Sequence, residues 1–108
     1  RRIVMFFEAY DVLVLPTYLH GAIRVGEWAD LSPEETLQRI TNWIAPCPPF
    51  NASGLPAIAL PTGFDEATGL PVGVQLVGRP AAEATILALA AQLEKELGGS
   101  DRRPTLAL

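Results

Sequence analysis

The sequence has little of what reactive sites are usually built from. Its 108 residues include one cysteine, one histidine and one lysine. The lone Cys47 excludes an internal disulfide and fits a reducing compartment, so a cytoplasmic location is expected. The lone His20 excludes a metal site built on several histidines. Asp30, Asp65 and Glu66 have no ligand spacing, so no metal or other cofactor is expected. Basic residues are few and scattered, 8 against 12 acidic, for a net charge of −4. That argues against nucleic acid, whose phosphates call for clustered Lys and Arg. No uninterrupted apolar stretch is long enough to span a bilayer, and no membrane partner is expected. Arg1-Arg2 ahead of an apolar run resembles the start of a signal peptide. Glu8 and Asp11 interrupt that run, however, and no small-residue cleavage site follows. A first residue other than Met is expected of an excerpt from a longer chain.

What is present is apolar. Such residues make up 49% of the chain, enough for the core of one domain. A chain this short still buries a smaller share of its surface than a full enzyme domain does. Ile3, Phe6, Phe7 and Tyr10 recur at helical spacing and predict a helix over 1–10. The apolar run after Asp11 predicts a buried strand over 11–16, ended by Pro16. Residues 17–31 show no period, and Gly21 and Gly26 mark a loop onto which Trp28 is expected to pack. Ser32-Pro33-Glu34-Glu35 combines a capping box with a proline in the first turn. Leu37, Ile40 and Ile44 share one face of the helix predicted over 32–45, which Pro46 ends.

Pro46, Pro48 and Pro49 predict a stiff extended linker, and Asn51 with Gly54 a sharp turn. Two further apolar runs, each announced by a proline, predict strands over 57–61 and 71–78. Val72, Val74 and Leu76 fall on one face of the latter, and Gly73, Gln75 and Val77 on the other. Gly73 lets another backbone come close. Gln75 needs hydrogen-bond partners if both faces are covered. Ile86, Leu89, Ala90, Leu93 and Leu97 mark the buried face of a helix over 81–97. Gly98-Gly99 ends it, leaving a tail over 98–108.

These elements predict an α/β fold, a small mixed sheet of about three strands packed by helices. The first two strands, joined through a helix, are expected to run parallel with a right-handed crossover. The second and third are expected to form an antiparallel pair.

The stretch 51–80 carries a resemblance. It reads Asn51-Ala52-Ser53-Gly54-Leu55-Pro56-Ala57, a strand, then Gly69-Leu70-Pro71-Val72-Gly73-Val74-Gln75-Leu76-Val77-Gly78-Arg79-Pro80, then Glu83 and a helix. With Asp11-Val12-Leu13-Val14-Leu15-Pro16-Thr17 ahead of it, this order resembles the C-terminal part of the amidase-signature enzymes. Those enzymes hydrolyse amides with a Ser–cis-Ser–Lys triad. The resemblance implies a place in a larger α/β/α sandwich, with the remainder of an amidase chain as partner. It also implies a part in cleaving the carbon–nitrogen bond of a small carboxamide. The family's triad lies upstream of the matched stretch, so no catalytic residue is expected here, and the chain alone is expected to be inactive. In the resembling enzymes the helix and linker before Asn51 border the acyl side of the substrate pocket. The matching positions are Thr41, Ile44 and Pro48. Amidotransferase A subunits, which act on glutamine, have an acidic residue matching Ile44; an aliphatic one leans toward an apolar acyl group. From the helical face alone, Ile44 reads as core.

Other candidates have plainer readings. Lys95 lies on the polar face of the last helix and reads as a solvated charge. Gly98-Gly99-Ser100 looks like the start of the family's Gly/Ser loop, but it follows a helix end and reads as a cap and tail. Ser53 has no nearby His or Lys and does not match Gly-x-Ser-x-Gly, so it reads as a structural turn. Cys47 lacks a charged neighbour to activate its thiol and reads as inert. An expectation of a different class is a free-standing, self-associating or binding module. It would be a homodimer through an exposed sheet edge or through the N-terminal helix with Phe6 and Phe7.

Overall fold

The computed structural model describes residues 2–98. In chain order these form α1 (Arg2–Phe6), β1 (Val12–Pro16), α2 (Pro33–Trp43), α3 (Pro48–Ser53), β2 (Ala57–Phe64), β3 (Pro71–Gly78) and α4 (Glu83–Leu97). The strands make one sheet in the order β1-β3-β2, with both pairings antiparallel. The expected α/β class, three strands packed by helices, is what the structure shows. The pairing differs from the expected mixed sheet. β1 and β2 do point the same way, but β3 lies between them. Chemistry favours this order. Residues 75–78 of β3 are all buried and need both strand edges paired. β2 carries Pro61, which has no donor for a second ladder and so suits an edge. The β2 ladder continues past Pro61 through an irregularity between Pro61 and Gly63, so this strand is longer than the expected 57–61.

Strand alternation sorts the core. Leu76 stands opposite Val14 of β1 and Ile58 of β2, on the face that α4 covers with Ile86 and Ala90. Val77 points the other way. There it joins Phe7, Phe50 and Leu55, with Ile3, Leu13 and Leu15 packed around them. Helical segments therefore cover both faces of the sheet. At the far end of the strands an exposed ion pair joins Arg79, just after β3, to Asp11, just before β1.

Local chemistry fixes the ends of the elements. Ser32 caps α2 by accepting from the Glu35 amide, while the Glu35 carboxylate accepts from the Ser32 amide and hydroxyl. Those bonds, the side-chain one first, lower the Glu35 pKa below the usual glutamate value. In the β2–β3 loop the Asp65 carboxylate accepts from the Thr68 hydroxyl and amide, both at 2.7 Å, and its pKa is likewise lowered. Gly54 closes α3 with φ at +69°, the left-handed turn that its missing Cβ permits.

Several element expectations change. The helix expected over 1–10 stops at Phe6 and continues as turns, since five residues without caps cannot propagate. The extended linker expected at Pro48 and Pro49 is instead the first turn of α3, where proline's missing N–H costs nothing. Beyond Pro80, α4 begins at Glu83 rather than 81, with Ala81 at φ +60°. The shared face of α2 is not core throughout, since Leu37 is 66% exposed and Ile40 37%. The tail read over 98–108 lies, except for Gly98, outside the described residues. No described helix is long and apolar enough to cross a membrane.

Candidate functional site

The C-terminal end of β1 opens onto a groove of about 710 Å³. Its floor is the neighbouring part of the sheet, from Ala59 to Pro61 on β2 and from Pro71 to Gly73 on β3. Its wall is aromatic. Tyr18 stacks on Trp43 with ring centres 4.5 Å apart and planes 22° from parallel. His20 lies over Trp43 at 6.0 Å and 24°. Behind this wall Trp28 meets Trp43 edge-on at 6.1 Å and lines a smaller cleft with Glu27, Arg39 and Asn42, rather than packing onto the core. Among the described residues no Asp, Glu, Lys or Arg lines the groove. The two lowered carboxylates, Glu35 and Asp65, serve a cap and a turn and do not line it.

A loop with no hydrophobic period needs other fastenings, and it has several. Thr17 donates its amide to Gly73 O at 3.2 Å. The Pro16 carbonyl accepts from Gln75 Nε2 at 3.3 Å, and the Thr17 carbonyl from Cys47 Sγ at 3.4 Å. Leu19 donates its amide to Trp43 O at 3.0 Å, and Trp43 Nε1 returns a bond to His20 O at 3.1 Å. Gln75, 5% exposed, thus finds the partner its burial demands. Trp43 grips the loop at both polar ends while its ring forms the wall. The Thr17 hydroxyl oxygen is buried and has no partner among the described residues.

The residues singled out from the sequence separate here. Thr41 is exposed on α2 and donates its hydroxyl to Leu37 O at 2.8 Å. Ile44, half-buried, is the C-cap of α2, and Pro48, exposed, begins α3. None of the three lines the groove. Trp43, between the first two in sequence, does, and it was not singled out. The signal was present as a second tryptophan on a helix that faces an aromatic-bearing loop. Ser53 donates its hydroxyl to Phe50 O at 3.1 Å, as its turn reading requires. His20 is exposed and donates Nδ1–H to Gly21 O at 3.0 Å. Among the described residues no group of three or more His, Cys, Asp or Glu can hold a metal ion.

Comparison with known proteins gives consistent matches. The family model described as Amidase matches residues 1–87. A Synechocystis sp. protein with an amidase name is 55% identical over 103 residues, 95% of this chain and 20% of its own. The fatty acid amide hydrolase of Medicago truncatula is 44% identical over 96% of this chain and 18% of its own. The solved 6-aminohexanoate cyclic dimer hydrolase superposes with a TM-score of 0.67 at 33% identity, covering 96% of this chain and 23% of that one. The chain thus spans about a fifth of the length of the curated relatives it matches.

Proposed function

The chain belongs to the amidase family, and from that premise we propose that it is a scaffold and pocket wall for an enzyme cleaving the carbon–nitrogen bond of a small carboxamide. Hydrolysing an amide requires an activated nucleophile, a base and donors for the oxyanion. The observation that carries the reading is that the candidate nucleophiles are spent on backbone. Ser53 bonds Phe50 O and Cys47 bonds Thr17 O, and neither is given a base. The catalytic groups therefore come from the remainder of an amidase chain, in which the relatives' names find their common chemistry. In this reading Thr41, Ile44 and Pro48 form a wall on the acyl side that lies outside the groove lined by Trp43. The cytoplasm is the compartment, in keeping with the free Cys47.

The direct test is an assay of this chain on aliphatic and aryl amides. No turnover is expected. Turnover that disappears in Ser53→Ala would overturn the assignment of a scaffold role. An upstream reading frame carrying a Gly/Ser-rich loop and a lysine is the expected genetic counterpart.

A second reading rests on a specific observation. Among the described residues β1 and β2 are the outer strands of the sheet, and Val14 on β1 and Met5 and Phe6 on α1 are exposed. Unpaired edges with apolar neighbours favour self-association. Sedimentation velocity separates the two readings. Concentration-dependent dimers support the homodimer, and a monomer across the concentration series removes it.

A further inference from the structure

We propose that the groove beside Trp43 is a ring-binding site, selecting a neutral aryl amide over a saturated or charged one. That the ring carries a carboxamide rests on the amide-hydrolase reading above; the preference for the ring rests on the groove itself. Three observations carry it. First, the rings of Tyr18 and His20 lie 22° and 24° from the plane of Trp43. A stack of that kind offers a flat outer face, and Tyr18 is 45% exposed. Second, the lining is apolar, with Leu60 and Val72 beside several prolines and a glycine. Gly73 has no side chain, and Pro16, Pro61 and Pro71 present rigid ring edges that suit contact with an aromatic face. Third, among the described residues the lining has no Asp, Glu, Lys or Arg to pair with a carboxylate or an ammonium group, so a charged ligand would lose hydration there without replacement.

The wall is also rigid. Trp43 is held by its own N–H on His20 O and by its carbonyl under the Leu19 amide. A fixed aromatic wall loses little conformational freedom on binding, which converts stacking into selectivity. A long aliphatic chain would gain burial here but not stacking. Trp43 is accordingly a specificity-determining residue, and Tyr18 its partner.

The experiment is an NMR titration of the ¹⁵N-labelled chain with benzamide, cyclohexanecarboxamide and benzoate, following the Gly21 and Gly73 amides. Benzamide is expected to bind about fivefold more tightly than the cyclohexyl amide, in line with the energy of an aromatic pair beyond its buried area. Benzoate is expected to bind more weakly than either. Trp43→Leu and, independently, Tyr18→Ala should bring the two neutral amides to parity; Tyr18→Ala removes no hydrogen bond of the loop and guards against a folding defect in the first. Equal affinities in the unsubstituted chain, no saturable shift at either glycine, or a preference that survives both substitutions overturns the proposal. Amide cleavage by the longer enzyme is a separate measurement. A ring preference without cleavage leaves this site standing and removes the hydrolase reading. Cleavage of aliphatic amides with no ring preference does the reverse.

Discussion

Leu76→Ala is expected to destabilise the chain by about 2–5 kcal/mol, the range for emptying a buried leucine site. Leu76 and Val77 are the largest side chains with no exposed surface. Leu76 stands in the C-terminal half of the central strand, with Val14 across one ladder and Ile58 across the other. Its face is the one that α4 covers. A hole there lies under a helix and between two strands, so no single neighbour can relax into it. Domains are stable by only about 5–15 kcal/mol, so the loss removes a large part of the whole. Urea unfolding followed by tryptophan fluorescence measures it as a lower midpoint. Leu87→Ala on the same helix-and-sheet layer is the control, since Leu87 is 56% exposed and its change should stay within about 0.5 kcal/mol. Similar losses for the two leucines would contradict the placement of β3 at the centre.

Gly73→Ala is expected to destabilise by about 1–3 kcal/mol through overpacking. A Cβ at this position would sit 2.7 Å from Leu60 O and 3.5 Å from the Thr17 hydroxyl oxygen. The carbonyl belongs to the paired strand β2 and cannot retreat without opening the ladder. Glycine replacement also restricts the unfolded chain, which favours folding by about 0.4–1 kcal/mol where the conformation is tolerated. The clash is the larger effect, so the net sign is destabilising. Two other glycines calibrate the result. At Gly63 the nearest atom is Val72 Cγ2 at 4.0 Å, and Ala should be close to neutral there. At Gly78 the obstacle is Ile86 Cγ2 at 2.8 Å, the β-branch methyl of a buried helical residue with a stiff χ1, so a cost comparable to that at Gly73 is expected. The expected outcome is a denaturation midpoint near that of the unsubstituted chain for Gly63→Ala and clearly lower midpoints for both Gly78→Ala and Gly73→Ala. An Ala at 73 that leaves the midpoint unchanged would show that β2 does not approach β3 this closely. Because Gly73 is also the groove floor, the same substitution should weaken ligand shifts at Gly21.

Much of the fold can be read from the local chemistry of particular residues. The capping box at Ser32 and Glu35 is local, and it forms as the spacing predicts. So is the alternation in β3 that separates Leu76 from Gln75 and Val77. The buried amide of Gln75 announced a partner, though not which one. The partner, Pro16 O, is 59 residues away in sequence, and no periodicity points to it. The strand order was misread for the same reason. A helix between two strands suggests that they neighbour one another, yet the strand with the most buried residues takes the centre and separates them. The prolines at 48 and 49 were read as extended because proline breaks helices from within. At a helix start the same residue is favourable, and only the burial of Phe50 decides between the two.

By itself the sequence determined the periods, the caps, the glycine turns, the scatter of its charges and the family order of motifs. These depend on neighbours within a few residues, where covalent geometry and side-chain size act directly. Only the tertiary structure decided that β3 lies between β1 and β2, that Leu37 remains largely uncovered, and that Tyr18 and His20 stack on Trp43 in a groove shared with Gly73. Those arrangements depend on which distant surfaces meet, and that is settled by the burial and hydrogen-bond satisfaction of the whole chain at once.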